Sequence, residues 1–168
     1  MEIIYPFFVA RDKKFWRKIT MKPEFSGIER RLEKLSVCLK KLEPFKAKEK
    51  EEIIQDPYIQ DIIERNLEVS AQAIIDIANR IISIEGLEKP RDYYEAILRI
   101  GEAGILPLKF AQNLAPIAGF RNILVHDYMD IDWDEVYNNL HQLHDISQFM
   151  DYVKEWMKRR NVGDKAKS

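Results

Sequence analysis

A chain of 168 residues that is 46% hydrophobic and 33% charged has the length and balance of one soluble globular domain with a substantial core. Its formal net charge of −1 excludes a whole-molecule positive field, so any RNA binding must rest on a local patch or a partner. The single cysteine, Cys38, cannot form an internal disulfide, which points to a reducing compartment.

Residues 1–20 stand apart from the rest. The apolar run from Ile3 to Ala10 is too short to span a membrane and contains Pro6. Its basic residues, Arg11, Lys13, Lys14, Arg17 and Lys18, follow it, the reverse of a secretory signal. The location expected is therefore cytoplasmic. The segment reads as a loosely docked extension or as sequence upstream of a start at Met21, with a basic RNA-steering arm as the other reading.

From Ser26 onward the pattern is helical only. Ser26-Gly27-Ile28-Glu29 has the form of a capping box, and Ile28, Leu32, Leu35, Leu39 and Leu42 then mark one face at 3/4 spacing. Cys38 lies beside that stripe, where a buried, inert thiol is expected rather than a nucleophile. Pro44 and the charged run Lys46–Glu52 are expected to close or fray the helix. Asp56-Pro57 supplies a cap and a first-turn proline for a second helix. Its face is Ile63, Leu67, Ser70, Ile74, Ile77, Ile81 and Ile84, with Ile62, Val69 and Ala73 widening the arc and Gly86 ending it.

A third helix opens at Pro90 with Asp92 and Glu95, and Gly104 and Pro107 break it. A fourth stretch carries Leu108, Ala111 and Leu114 and should kink at Pro116, which removes a hydrogen bond and clashes with the preceding turn. Asp132 and Glu135 are expected to cap one last long helix. Its seam is Val136, Leu140, Leu143, Ile146, Met150, Val153 and Met157, and a basic tail, 159–168, is expected to fray. The fold expected is all-α, an antiparallel bundle of four to five main helices over residues 21–158.

The chemistry concentrates just after the Pro116 kink, in Gly119-Phe120-Arg121-Asn122-Ile123-Leu124-Val125-His126-Asp127-Tyr128. Arginine offers phosphate two parallel donors, and histidine moves protons near neutral pH. An Arg/His pair without metal ligands beside it suits RNA phosphodiester chemistry, where the substrate's own 2′-hydroxyl can be the nucleophile. Asn122 and His126 are i,i+4, so the amide could orient the imidazole. Arg121 and Tyr128 nearly share a face, about 10 Å apart along the axis. Arg121 and His126, however, are roughly 140° apart around an ideal helix and cannot meet at one phosphate on a straight, isolated copy. Either the helix is distorted here or two copies face each other across a two-fold axis. The second solution is more economical and predicts a homodimer with the motif at its interface. The plainer reading is that Arg, Asn and His near a helix end satisfy carbonyls or pair with Asp127 or Asp130.

Other constellations are weaker. His141 and His144, with Asp145 adjacent, have helical spacing but no further ligand to complete a metal set, so they read as a solvated face. Asp76 and Arg80 are expected to form an i,i+4 ion pair. No glycine-rich phosphate loop or Ser/His/Asp order is present. Neither a metal nor a cofactor is expected.

At the motif the chain resembles the HEPN superfamily, and within it the HepT-like proteins of type VII toxin–antitoxin systems. The HEPN signature of an arginine, a polar residue, a spacer and a histidine is met by Arg121, Asn122 and His126, and the tyrosine two residues on by Tyr128. The lead-in from Leu114 to Phe120, the lead-out from Ile131 to Tyr137 and Ile75-Asp76-Ile77-Ala78 upstream are similar too. The resemblance covers about residues 21–158 and leaves 1–20 outside it. It implies a dimeric helical bundle and a metal-independent endoribonuclease, with Arg121 and His126 catalytic and Asn122 supporting. It further implies a toxin whose partner is an MntA-like nucleotidyltransferase that transfers AMP to Tyr128. An AMP there would bring a phosphodiester anion to the face of Arg121 and block the cleft by charge and bulk. Two alternatives stand beside this reading. One is a non-catalytic module that binds nucleotide and nucleotidyltransferase, favoured by the near-neutral charge. The other is a purely structural helical oligomer.

Overall fold

The computed structural model describes residues 23–127 and 129–165, the side chains of 164 and 165 excepted. The 1–20 segment and Tyr128 therefore lie outside the described residues. Among the described residues all regular structure is helical, as the sequence pattern requires.

A short 3₁₀ turn, Pro23–Phe25, leads into α1, Ile28–Leu42. The capping box read at Ser26 does not form. Gly27 is the N-cap instead, at φ 92°, a conformation open to glycine and strained for serine, and no side chain caps the turn. Ile28, Leu32, Leu35 and Leu42 are buried as the 3/4 pattern predicts. Cys38 is 1% exposed, and burial pushes its thiol pKa up, which keeps the inert thiol form.

The charged run expected to fray is ordered. Glu43–Ala47 form a 3₁₀ turn and Lys50–Ile54 form α2, which has its own capping box between Glu49 and Glu52. Lys50 pairs with Asp134, and the Tyr137 hydroxyl donates to the Lys48 carbonyl at 3.1 Å, so this segment is tied to a distant helix.

The central element is α3, Pro57–Glu85, 29 residues or about 44 Å long. Asp56 accepts from the amides of Tyr58 and Ile59, Pro57 sits in the first turn, and Gly86 closes the helix at φ 64°, as the sequence predicts. Its buried face includes Ile63, Leu67, Ile74, Ile77 and Ile81, and it packs against α1 along its length. Ile62, expected to widen the arc, is exposed.

Beyond Gly86 lie α4, Tyr93–Glu102, α5, Leu108–Leu114, and α6, Ile117–His126. Gly104 at φ 75° makes the turn after α4. Helices α4 and α5 approach so closely that a Cβ on Gly101 would overlap the Cβ of Ala111. Pro116 breaks the chain rather than kinking it. Helix α5 stops at Leu114, and Pro116 becomes the N-cap of a separate helix.

The single last helix expected from Asp132 is two, α7, Trp133–His141, and α8, Leu143–Lys165. Asp132 caps α7 by accepting from Asp134 at 2.8 Å. The break at Gln142 carries no glycine or proline. The whole predicted seam is buried on both sides of it, so core packing and not a local signal sets it. Helix α8 continues past Lys158, where fraying was expected, and Arg160 reaches Glu24 at 3.2 Å and Glu85 at 3.1 Å. The core is one cluster running from Phe25 through α1, α3 and α4 to Phe149 and Met157.

Candidate active site

Helix α6 presents the motif because its other face is anchored. Phe120 and Leu124, one turn apart, are buried together with Ala118, and the helix packs on α3 and α4. That leaves Arg121 half-buried, with Asn122 and His126 exposed. The helix is regular through the motif, from Ile117 to His126, and the break lies upstream at Pro116. Of the two solutions left open by the spacing, distortion at the motif is therefore not the one adopted, and Arg121 and His126 diverge on a single copy.

Arg121 is held from three directions. Its Nε donates to Oε1 of Gln72 on α3 at 2.8 Å. One Nη donates to Oδ1 of Asn122 at 3.0 Å. The guanidinium carbon lies 5.7 Å from the ring centroid of Tyr93, the first residue of α4, a cation–π contact. A guanidinium has five N–H donors, and these two hydrogen bonds use two of them. Among the described residues nothing else takes the remaining three.

Behind Gln72 the polar chain continues. Its Nε2 donates to Oδ1 of Asp76 at 2.7 Å, Asp76 Oδ2 accepts from Arg31 Nε at 3.1 Å, and an Arg31 Nη donates to the Gly27 carbonyl at 3.0 Å. A carboxylate can only accept and a guanidinium can only donate, so the neighbours fix which way the Gln72 amide faces. Side chains of α1, α3 and α4 thus position one arginine of α6.

The expected bond from Asn122 to His126 is absent, and the Asn122 oxygen accepts from Arg121 instead. The expected Asp76–Arg80 pair is likewise replaced. Asp76 takes Arg31 from the neighbouring helix, and Arg80 donates to the Glu24 carbonyl at 3.1 Å. Gln72 and Tyr93 were not singled out from sequence. The available signal for Gln72 was a second polar residue four before Asp76, in the otherwise apolar run Ala71–Ala78. For Tyr93 the sequence holds no comparable signal.

His141 and His144 are both exposed, and the Gln142 break separates them. The Nδ1–H of His141 donates to the Tyr137 carbonyl at 2.9 Å. Among the described residues no cluster of three or more His, Cys, Asp or Glu stands ready to hold a metal ion. None of their helices is long and apolar enough to cross a membrane.

Comparison with known proteins shows which family the chain resembles. A family model described as ribonuclease HepT-like matches residues 35–154. The chain is similar to an mRNA nuclease HepT of Shewanella oneidensis, 34% identical over 101 residues that cover 60% of this chain and 76% of that protein. It is also similar to a tRNA nuclease HepT of Aphanizomenon flos-aquae, 38% identical over 115 residues, 66% of this chain and 75% of that one. Its fold is similar to a solved structure of a tri-AMPylated Shewanella oneidensis HEPN toxin in complex with MNT antitoxin. The TM-score there is 0.70 at 28% identity, covering 80% of this chain and 99% of that one.

Proposed function

Because this chain belongs to the ribonuclease HepT-like family of the HEPN superfamily, we propose that it is the endoribonuclease toxin of a toxin–antitoxin module. The observation that carries the reading is Arg121, clamped by Gln72 and Asn122 with the rest of its fork turned to no described group.

The proposed reaction is metal-independent. The substrate 2′-hydroxyl attacks the adjacent phosphorus, forming the O2′–P bond as the P–O5′ bond breaks. His126 takes the 2′ proton, the leaving 5′-oxygen takes a proton from water, and a 2′,3′-cyclic phosphate remains. Arg121 stabilises the charge that builds on the phosphoryl oxygens, with Asn122 supporting. Since Arg121 and His126 diverge on one regular helix, the working cleft is read as the seam of a homodimer, with the two residues supplied by different copies. The functional unit is the bundle of residues 21–158, and the location proposed is the cytoplasm, where RNA and a reducing environment coincide.

The partner proposed is an MntA-like nucleotidyltransferase antitoxin that transfers AMP from ATP to the hydroxyl of Tyr128. The support is the tyrosine's place two residues after His126 and the fold shared with the AMPylated toxin. Incubation with such an enzyme and ATP should add AMP mass to wild type, leave Tyr128→Phe unchanged and silence cleavage in step.

The deciding experiment is incubation of purified protein with labelled RNA in EDTA, beside Arg121→Ala and His126→Ala. Cleavage by wild type and its loss in both variants supports the reading. Equal cleavage by all three overturns the site assignment. No cleavage by a wild-type protein whose Tyr128 is unmodified favours the binding module, the reading that the net charge of −1 supports.

A further inference from the structure

We propose that Tyr93 is a nucleobase platform, so that the cleft grips a substrate base beside the phosphate held by Arg121. The proposal rests on the ribonuclease reading and adds a subsite to it.

The ring stands where such a subsite must be. Arg121 lies against one face of Tyr93, with Cζ 5.7 Å from the centroid. A phosphate on the open edge of Arg121 would carry its own nucleoside one sugar away, within reach of the same ring. Tyr93 is 41% exposed in the single chain, an aromatic surface beside Arg121. The ring is also rigidly mounted. Tyr93 opens α4, whose first turn is fixed by Asp92 accepting from the Glu95 amide at 2.8 Å and by Glu95 accepting from the Arg91 amide at 2.6 Å. A platform on a capped helix loses little freedom when a base settles on it.

The charge of the chain makes such a contact useful. At a net charge of −1, long-range attraction to RNA is weak. Base–aromatic stacking is tolerant of sequence and needs no positive field, and single-stranded RNA is commonly read this way because its bases can be splayed out. Guanidinium, ring and base would stack in order, Arg121 on one face of Tyr93 and the base on the other.

The test is equilibrium binding of the full-length protein to a short, mixed-sequence 2′-O-methyl RNA, which lacks the nucleophile and cannot be cut. The comparator is a wholly abasic 2′-O-methyl strand of the same length. Wild type should bind the base-containing strand more tightly. Tyr93→Ala should weaken that strand on the order of tenfold and leave the abasic strand unchanged, while Tyr93→Trp should retain wild-type binding. Equal weakening of both strands would assign Tyr93 to holding Arg121 alone and overturn the platform. No change on either strand overturns it too. Wild-type RNA binding that survives Tyr93→Ala leaves the ribonuclease reading standing, whereas a wild type that binds neither strand removes both.

Discussion

Gln72 accepts a hydrogen bond from Nε of Arg121 at 2.8 Å across 49 positions of sequence, and its other amide atom holds Asp76. The amide acts as a spacer between charges. The Asp76 carboxylate is balanced by Arg31 at 3.1 Å, and among the described residues Arg121 meets only neutral acceptors, Gln72 and Asn122, so its positive charge stays available to a phosphate.

Replacing that spacer separates positioning from folding. Gln72→Ala should lower kcat roughly 10- to 100-fold, because a loosened arginine misplaces the phosphate. Stability should fall by about 1–3 kcal/mol, since half-buried Gln72 loses its hydrogen bonds to two charged groups, Arg121 and Asp76. Gln72→Glu should be more damaging, as a carboxylate would pair with Arg121 and compete with substrate. RNA cleavage and urea melts on the same preparations decide it, and full activity in both variants would remove Gln72 from the site.

The regularity of α6 bears on assembly. Light scattering should give about twice the 19.9 kDa chain mass. Arg121→Ala and His126→Ala, each inactive alone, should recover part of wild-type cleavage when mixed and allowed to exchange. In the mixed dimer one copy still offers arginine opposite the other's histidine. Mixtures that stay inactive, despite exchange shown by a tagged pull-down, would place both residues of the working pair on one chain.

Acid should loosen the first turn of α4. The Arg91 backbone amide at 2.6 Å, and then its side chain at 3.1 Å, hold the Glu95 carboxyl below its ordinary value of 4.5. A lowered folded-state pKa means the stabilisation is fully present above about 4.5 and is lost as pH falls through the folded value. The melting-temperature gap between wild type and Glu95→Gln should therefore be widest at pH 7 and shrink below pH 4.5. A gap that stays constant across that range would show that the charge on Glu95 contributes nothing.

Gly101 tests the close approach of α4 and α5. In a helix interior, alanine normally improves on glycine by about 1 kcal/mol. Here the added Cβ would overlap Ala111, so Gly101→Ala should destabilise by about 1–3 kcal/mol in urea unfolding. A stabilised variant would mean the two helices can part without cost.

The sequence by itself determined the helices with strong local signals, among them α3, bounded by Asp56-Pro57 and Gly86, and the buried stripes of α1 and α8. It also placed Arg121, Asn122, His126 and Tyr128 close together, because caps, periodicity and short motifs are written within a few turns of chain. Only the tertiary structure decided what surrounds Arg121. Gln72 and Tyr93 come to it from α3 and α4, and Asp76 leaves its expected neighbour Arg80 for Arg31, which a packed helix holds within reach. The split at Gln142 and the pairing of Asn122 with Arg121 rather than His126 belong to the same class. Local spacing states which partners are possible, but a side chain with several reachable partners is assigned by the packing of distant helices, and that is a property of the whole core.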